Sequence, residues 1–411
     1  MINLLIKHPT KIIEGNITLP ASKSICNRVL ILQKVLQFTN PIINISKADD
    51  SVVMQQSLQK TTGTIDVKNA GTCMRFLTAY YAATPNSDVI LCGSERMHKR
   101  PIGALVDALI TLGADIKYLD KKGFAPLHIK GKKILGGQVN IDASVSSQFI
   151  TALMLVAPSF KNGLVIKLGD KIASKPYINM TADLLNQLGV AVNILNDIVI
   201  NPYQPKQTNT AITIEPDWSS AAFWYQIILF AKQANLTVKD LNVNSIQGDA
   251  TIAQHMQNLG VSTVFTNKVA ALTKNNNLLD EATFDMLNYP DMVMSMAVMM
   301  CVLNIPSTFN NVAHLQDKES NRLDAITTEL NKCGFNVSHN HQQLYITPVT
   351  KVNYHQTINF NTYQDHRMAM ALAPLALLFD GVVVENAAVV EKSYPHFWDD
   401  LCKVGFTIET L

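Results

Sequence analysis

One phrase recurs along the 411-residue chain: an amphipathic run, a glycine, then a β-branched stretch. It reads LVDALITLGADIKYL, TADLLNQLGVAVNIL, IAQHMQNLGVSTVF, ITTELNKCGFNVSH and FWDDLCKVGFTIETL. The leucines fall at helical spacing, each glycine stands where a helix end takes a left-handed residue, and a strand should follow. Gly113, Gly189, Gly260, Gly334 and Gly405 lie 71 to 76 residues apart. Helix, glycine and strand follow one another in many α/β chains; it is the near-equal spacing that argues for repetition. Solenoid units run to about 20–50 residues, so each unit here is larger, with two helices and several strands. A sixth copy ends at Gly63 in MQQSLQKTTGTIDV, at a shorter interval from Gly113. Three units to a domain fill two domains of about 200 residues each, within the size one core supports. The seam falls near IEPDWSSAAFWY.

Between these phrases lie polar clusters that each lead into an apolar, helix-like run: SKSICNR, NAGTCMR, HKRPIG, SVSSQF, ASKPYI, DKESNRL, QDHRMAM and EKSYPHF. Ser, Asn or Asp in each is a helix cap, and Pro101, Pro176 and Pro395 suit a first turn, where a missing N–H costs nothing. Helix starts favour anions, through unpaired N–H groups and the positive end of the dipole. The chain has only six arginines among 34 basic residues: Arg28, Arg75, Arg96, Arg100, Arg322 and Arg367. All lie in or beside these clusters, and none falls between residues 101 and 321. Lysine serves wherever a solvated charge suffices. Arginine is kept where a planar fork must grip a carboxylate or phosphate. Arg75 and Arg96 are the two most readily explained as ordinary ion-pair residues.

Composition narrows the class. Apolar residues make up 47% and charged residues 16%, a balance for a well-buried globular chain. A net charge of +2 gives no reason to expect nucleic acid or a membrane surface as partner, so anion binding must be local. The start, MINLLIKHPTK, carries no signal-peptide pattern, and MAVMMCVL and MAMALAPLALLF fall short of the ~20 residues that span a bilayer. Six scattered cysteines without a CxxC pair suit reduced thiols and a cytoplasmic location. Neither GxxxxGK[ST] nor GxGxxG occurs, His and Cys show no metal-ligand spacing, and HNH at 339–341 reads as a solvated patch. No cofactor and no metal are expected.

The remaining candidates are hydroxyls and carboxylates. Ser146, Ser147 and Gln148 gather at one helix start and Ser174 at the next. Ser24 and Arg28, four apart, share a helical face. Asp291, after Pro290, stands at the mouth of a buried helix, either as its cap or as a proton-moving group. Glu319, between Lys318 and Arg322, belongs either to a salt-bridged face or to the chemistry.

Taken in order, LPASKSICNR, NAGTCMRFL, RPIGALVDAL, SVSSQFITALML, SKPYI, YPD, DKESNRL, DHRMAMALA and EKSYPHF resemble the 5-enolpyruvylshikimate-3-phosphate synthases, or 3-phosphoshikimate 1-carboxyvinyltransferases. The strings span residues 19 to 397. The resemblance implies an α/β (α+β) enolpyruvyl transferase fold. Its two domains each hold three βαβαββ units, with helix N-termini facing an interdomain cleft. The expected domains are 20–217, and 1–19 with 218–411.

The implied reaction moves the enolpyruvyl group of phosphoenolpyruvate to the 5-hydroxyl of shikimate 3-phosphate and releases phosphate. These two small molecules are the implied partners of a monomer. By resemblance, Lys23, Ser24, Arg28, Ser146, Ser147, Gln148, Ser174, Asp291, His314 and Lys318 meet shikimate 3-phosphate. Lys23, Gly71, Arg100, Gln148, Arg322, Arg367 and Lys392 meet phosphoenolpyruvate. By the same resemblance Asp291 accepts the hydroxyl proton, Glu319 or else a lysine donates the methylene proton, and Lys23 joins Asp291 and Glu319 as catalytic.

Three positions depart from the family pattern. Ala21 stands where Gly is usual, Phe76 where proline is frequent, and His314 where Asn is common. Two rival readings use the same scaffold. A transferase acting on UDP-N-acetylglucosamine needs a reactive loop cysteine, whereas Cys92 lies just outside the loop GSERMHKRP, in a strand. A non-catalytic phosphometabolite binder would lack the proton-handling groups, which are all present.

Overall fold

The computed structural model describes residues 2–141, 146–169, 172–204 and 211–411. It divides into two compact units, Ala21–Ile214 and Met1–Pro20 with Glu215–Leu411. Ser144 and Val145 of the SVSSQF string lie outside the described residues.

Five four-stranded sheets share one topology: a parallel pair, then two strands added antiparallel. In the Ala21–Ile214 unit one sheet runs Thr62–Asp66, Asp88–Cys92, Leu127–Lys130, Asp115–Tyr118. Another runs Gly137–Ile141, Leu164–Leu168, Asp197–Ile200, Val192–Ile194. In the other unit Ile12–Thr18, Gln233–Lys239, Val269–Lys274 and Val261–Thr266 follow the same rule. So do Ala282–Asp285, Ser307–Asn310, Gln343–Thr347 and Asn336–His339. The last copy comprises Thr357–Phe360, Gly381–Val384, Leu4–Lys7 and Thr407–Thr410. Four of these copies read βαβαββ with a helix after each of the first two strands; in the copy opened by Ile12–Thr18 the first helix, Trp218–Phe230, instead follows Ile212–Thr213 in the chain. The last copy takes its fourth strand, Leu4–Lys7, from the chain's beginning, so Leu4 pairs with Thr410.

The sixth copy is abridged. Among the described residues it has only the parallel pair Ile42–Ile43 and Ile212–Thr213. Its second helix, Asp49–Ser57, runs directly into Thr62–Asp66, the opening strand of the next copy. Gly63 therefore sits in that strand, and the missing hairpin explains its shorter interval. Gly63, Gly113, Gly189, Gly260, Gly334 and Gly405 all take φ between +87° and +99°, where a Cβ would be strained.

The two helices of each copy differ. The first is apolar nearly all round: Trp218–Phe230 is buried at every residue, as is Val293–Leu303 over its first nine. A helix without a polar face belongs inside a core. In one unit Lys23–Leu36, Gly71–Ala83 and Ser147–Val156 pack on one another; in the other Trp218–Phe230, Val293–Leu303 and His366–Leu372 do. The second helices, such as Arg322–Lys332, keep an exposed face. Among the described residues no helix is long and apolar enough to cross a membrane.

The helix starts correct several local expectations. Ser22, Ser146 and Asp365 cap as expected, each accepting a backbone N–H. Ala70, not Asn69, is the cap of Gly71–Ala83, and Asn321 caps Arg322–Lys332 without a side-chain bond. Pro176 lies in a first turn, but Pro101 and Pro395 each precede the cap residue. The Pro101 carbonyl is taken by Arg75 Nη2 at 2.7 Å, outside the helical ladder. Lys392 ends a 3₁₀ turn, Ala387–Lys392, instead of opening a helix.

Candidate active site

The Ala21–Ile214 unit centres its polar groups on Arg28, one turn into Lys23–Leu36. Its Nε donates to Thr181 Oγ1 at 2.9 Å and Nη1 to the Ser24 carbonyl at 2.7 Å. Nη2 donates to the Tyr177 carbonyl at 3.2 Å and Thr151 Oγ1 at 3.5 Å. The rings of Phe76 and Tyr177 flank the guanidinium, their centroids 5.4 and 5.7 Å from its carbon. Apart from Ser24, these neighbours come from the first two turns of three other helices, those that begin at Gly71, Ser147 and Lys175. Arg28 thus shows where four helix starts meet. It is 3% exposed, pairs with no carboxylate among the described residues, and burial pulls its guanidinium down to about 10.

Around it stand the other expected residues of this unit. Lys23 Nζ pairs with Asp50 Oδ2 at 3.1 Å. Ser146 Oγ accepts the Gln148 N–H at 3.2 Å, and Ser147, buried, opens that helix. Ser174 is buried at the start of Lys175–Gln187, holds φ +58° and makes no capping bond with its side chain. A non-glycine residue held there is strained, a cost of roughly 1–3 kcal/mol that sites of function tend to carry.

Gly71 and Arg100 touch. A Cβ on Gly71 would lie 2.6 Å from Arg100 Nη1, so only glycine leaves that guanidinium its place. Arg75, buried on the same helix, instead holds the 97–101 segment, through Met97 Sδ at 3.3 Å and the Pro101 carbonyl. Its role is to support the segment that bears Arg100. Cys92 ends the strand Asp88–Cys92 with its thiol toward the Ile65 carbonyl at 3.6 Å, and burial pushes that thiol up.

The second unit gathers carboxylates around arginine. Arg322, 1% exposed, opens its helix and meets three of them. Nε and Nη2 reach the two oxygens of Asp365 at 2.7 and 3.3 Å, a bidentate fork. Nη2 also reaches Glu319 Oε2 at 3.0 Å, and Nη1 reaches Asp291 Oδ1 at 3.2 Å. The same Asp291 oxygen lies 2.9 Å from Arg367 Nε, while Arg367 Nη1 donates to the Asp291 carbonyl at 3.2 Å. Lys392 Nζ stands 3.8 Å from Glu319 Oε1. Burial works against the Arg322 charge, yet Asp365, Glu319 and Asp291 outweigh it and hold the guanidinium above its ordinary range. Met292, not Asp291, is the cap of Val293–Leu303, which frees the Asp291 side chain for the arginines.

Exposure separates the three partners. Asp365 is wholly buried, whereas Asp291 is 21% and Glu319 13% exposed. Asp365 is therefore a permanent counterion, and the other two can be reached by an incoming acid. His314 lies in a 3₁₀ turn beside this group, its Nε2 buried without a hydrogen-bond partner among the described residues. Burial first, then the charges of Lys318 and Arg322, push its imidazole down to about 3, so it is neutral. Asp249, also buried, accepts the Ser219 hydroxyl. Burial and the charge of Asp291 push its carboxyl up to about 7.

Reading by residue type missed Asp50, Thr151, Tyr177, Thr181, Asp249 and Asp365. Tyr177 and Asp365 stood inside quoted strings, and only the ranking by charge passed over them. The buried threonines carry no linear signal.

The family model for EPSP synthase (3-phosphoshikimate 1-carboxyvinyltransferase) matches residues 53–401. The chain belongs to the EPSP synthase family. A 3-phosphoshikimate 1-carboxyvinyltransferase of Bacteroides fragilis is 39% identical over 407 residues, 98% of each chain. That of a Marinomonas species is 33% identical over 413 residues, covering 94% of this chain and 96% of the other. An EPSP synthase structure from Acinetobacter baumannii superposes with a TM-score of 0.79 at 18% identity over 100% of both chains, which shows the shared fold. The chain is thus a transferase of aromatic amino-acid biosynthesis, and its βαβαββ copies are those of its family. The rival that requires a reactive loop cysteine is not favoured.

Proposed function

We propose that the two sets of residues serve one reaction, the transfer of the enolpyruvyl group of phosphoenolpyruvate to the 5-hydroxyl of shikimate 3-phosphate, with release of phosphate. The observation that carries the reading is Arg28, a buried guanidinium held by neutral oxygens and paired with no carboxylate among the described residues. A buried cation without a counterion is costly, and an anionic substrate supplies the negative charge that the described residues do not.

In this reading Lys23, Ser24, Arg28, Ser146, Ser147, Gln148 and Ser174 hold shikimate 3-phosphate. Asp291, His314 and Lys318 reach its ring hydroxyls. The unpartnered Nε2 of His314 supports that contact: a neutral imidazole accepts or donates one hydrogen bond there. Gly71, Arg100, Gln148, Arg322, Arg367 and Lys392, with Lys23, hold phosphoenolpyruvate. Its carboxylate replaces Asp291 and Glu319 on Arg322, while Asp365 keeps the guanidinium aimed.

That exchange releases the two exposed carboxylates for proton transfer. Asp291 takes the proton of the attacking hydroxyl, and Glu319, with Lys392 at its other oxygen, delivers a proton to the methylene carbon. Phosphate then leaves from the tetrahedral adduct while Glu319, now a carboxylate, takes a proton back from the methyl group and the double bond re-forms. The fixed cations stabilise the charge that develops as the adduct forms. We extend the proposal to a cytoplasmic monomer, for which light scattering of the purified chain should return the mass of one copy.

Phosphate release from phosphoenolpyruvate, measured with shikimate 3-phosphate and separately with UDP-N-acetylglucosamine, tests the reading. Release is expected with the first acceptor alone. Release with the sugar nucleotide, or tight binding of shikimate 3-phosphate without turnover, would overturn it.

A further inference from the structure

Glu329 is a carboxylate with no exposed surface on the helix Arg322–Lys332, whose other buried charge is Arg322 itself. It lies seven residues after Arg322, two helical turns along, and so on the same face. Lys332 covers it from solvent, with Nζ 2.7 and 2.8 Å from its two oxygens. Its other partners belong to the next βαβαββ copy. Tyr363 Oη donates to Glu329 Oε1 at 2.7 Å, and the Asn361 N–H donates to Oε2 at 3.3 Å.

Those partners form the turn between strand Thr357–Phe360 and helix His366–Leu372. Within it Tyr363 and Gln364 take φ of +50° and +57°, two consecutive left-handed residues of which neither is glycine. Each costs about 1–2 kcal/mol, so the turn persists only if its surroundings hold it. The Asp365 N–H donates to the Thr362 carbonyl at 2.8 Å and closes the turn. Asp365 itself caps the helix through the Arg367 N–H at 3.0 Å and grips Arg322. One helix therefore reaches one turn twice, by Arg322 at its start and by Glu329 two turns on.

We propose that Glu329 is a positioning residue for the transfer reaction, acting through Tyr363 and the Asn361 backbone to fix the turn from which Asp365 aims the Arg322 guanidinium. It touches no substrate. The inference rests on the reading that Arg322 receives phosphoenolpyruvate, and it deepens that reading by naming what keeps the fork in register. Burying a carboxylate is unfavourable unless its hydrogen bonds are satisfied, and here the Tyr363 hydroxyl and the Asn361 N–H, which supply part of that satisfaction beside Lys332, belong to the strained turn. Misplacing a binding group by about 1 Å costs up to ~10²-fold in rate.

Tyr363→Phe deletes one hydroxyl and leaves the ring. Glu329→Gln keeps the shape and loses the charge. In each variant KM for phosphoenolpyruvate should rise about tenfold while KM for shikimate 3-phosphate stays within about twofold. Lys332→Met removes the cation from Glu329 but leaves the bonds to the turn, so Tm should fall while the ratio of the two KM values stays unmoved. In Tyr363→Phe and Glu329→Gln, a role confined to stability would lower Tm and leave the ratio of the two KM values unmoved, and that result overturns the inference. Arg322→Lys run alongside separates the two levels. If it raises KM for phosphoenolpyruvate and Tyr363→Phe does not, the inference alone fails. If neither does, the reading of Arg322 fails and takes the inference with it.

Discussion

Arg28 and Arg322 are both buried to within 3% of full cover, and the chain treats them in opposite ways. Hydroxyls, carbonyls and two aromatic rings surround Arg28, and burial lowers its guanidinium to about 10. Three carboxylates surround Arg322 and raise it. Among the described residues the first charge has no counterion; the second is already neutralised. A substrate anion brings new attraction to the first. At the second it must displace a carboxylate, and the displaced group is then available to move a proton. One unit is built to bind and the other to exchange.

The largest test of that contrast is Arg28→Ala. Loss of charge-assisted bonds to shikimate 3-phosphate should lower kcat/KM about 10³-fold. Thermal unfolding should move only modestly, because among the described residues no buried carboxylate is left unpaired. A large fall in Tm would mean that Arg28 is a structural cation like Arg322. Asp365→Asn should do the reverse of Arg28→Ala on stability. Breaking one side of a wholly buried ion pair costs about 3 kcal/mol, to be read by denaturant unfolding. Stability equal to that of the parent would remove Asp365 as the permanent counterion.

Gly71→Ala should act through Arg100 alone. The added methyl meets the guanidinium at 2.6 Å, and the flexible side chain gives way. KM for phosphoenolpyruvate should rise about tenfold with an unchanged Tm; an unchanged KM would show that Arg100 does not need its present place.

The smallest effect concerns His314, whose pKa of about 3 in the folded chain lies below the ordinary imidazole value of 6.5. Its stabilising contribution is full above pH 6.5 and is lost as the pH falls toward 3, because the unfolded chain takes the proton first. His314→Asn should therefore reduce the loss of stability between pH 7 and pH 5.5 by about 1 kcal/mol. Parallel stability curves would place the imidazole in water.

The Gly phrases show how far the linear pattern reached. Their spacing marked the repeat, because a left-handed residue after a helix is a local requirement that glycine meets most cheaply. The shorter interval at Gly63 was visible too, but the absent hairpin behind it was not, since pairing partners such as Ile42 and Ile212 are distant in sequence. The proline positions failed for a similar reason. A proline signals a helix start to within a residue or two, and contacts such as Arg75 with the Pro101 carbonyl decide which.

By itself the sequence determined the repeat, the helix starts and the choice of arginine, because these follow from backbone geometry, hydrophobic period and side-chain chemistry within a few residues. Only the tertiary structure decided which groups share a charge. Thr151, Thr181 and Asp365 carry no mark of their roles in the string, and Arg28 and Arg322 look alike there. Electrostatics depends on distance in space and on burial, and both arise only when separate copies of the repeat pack together.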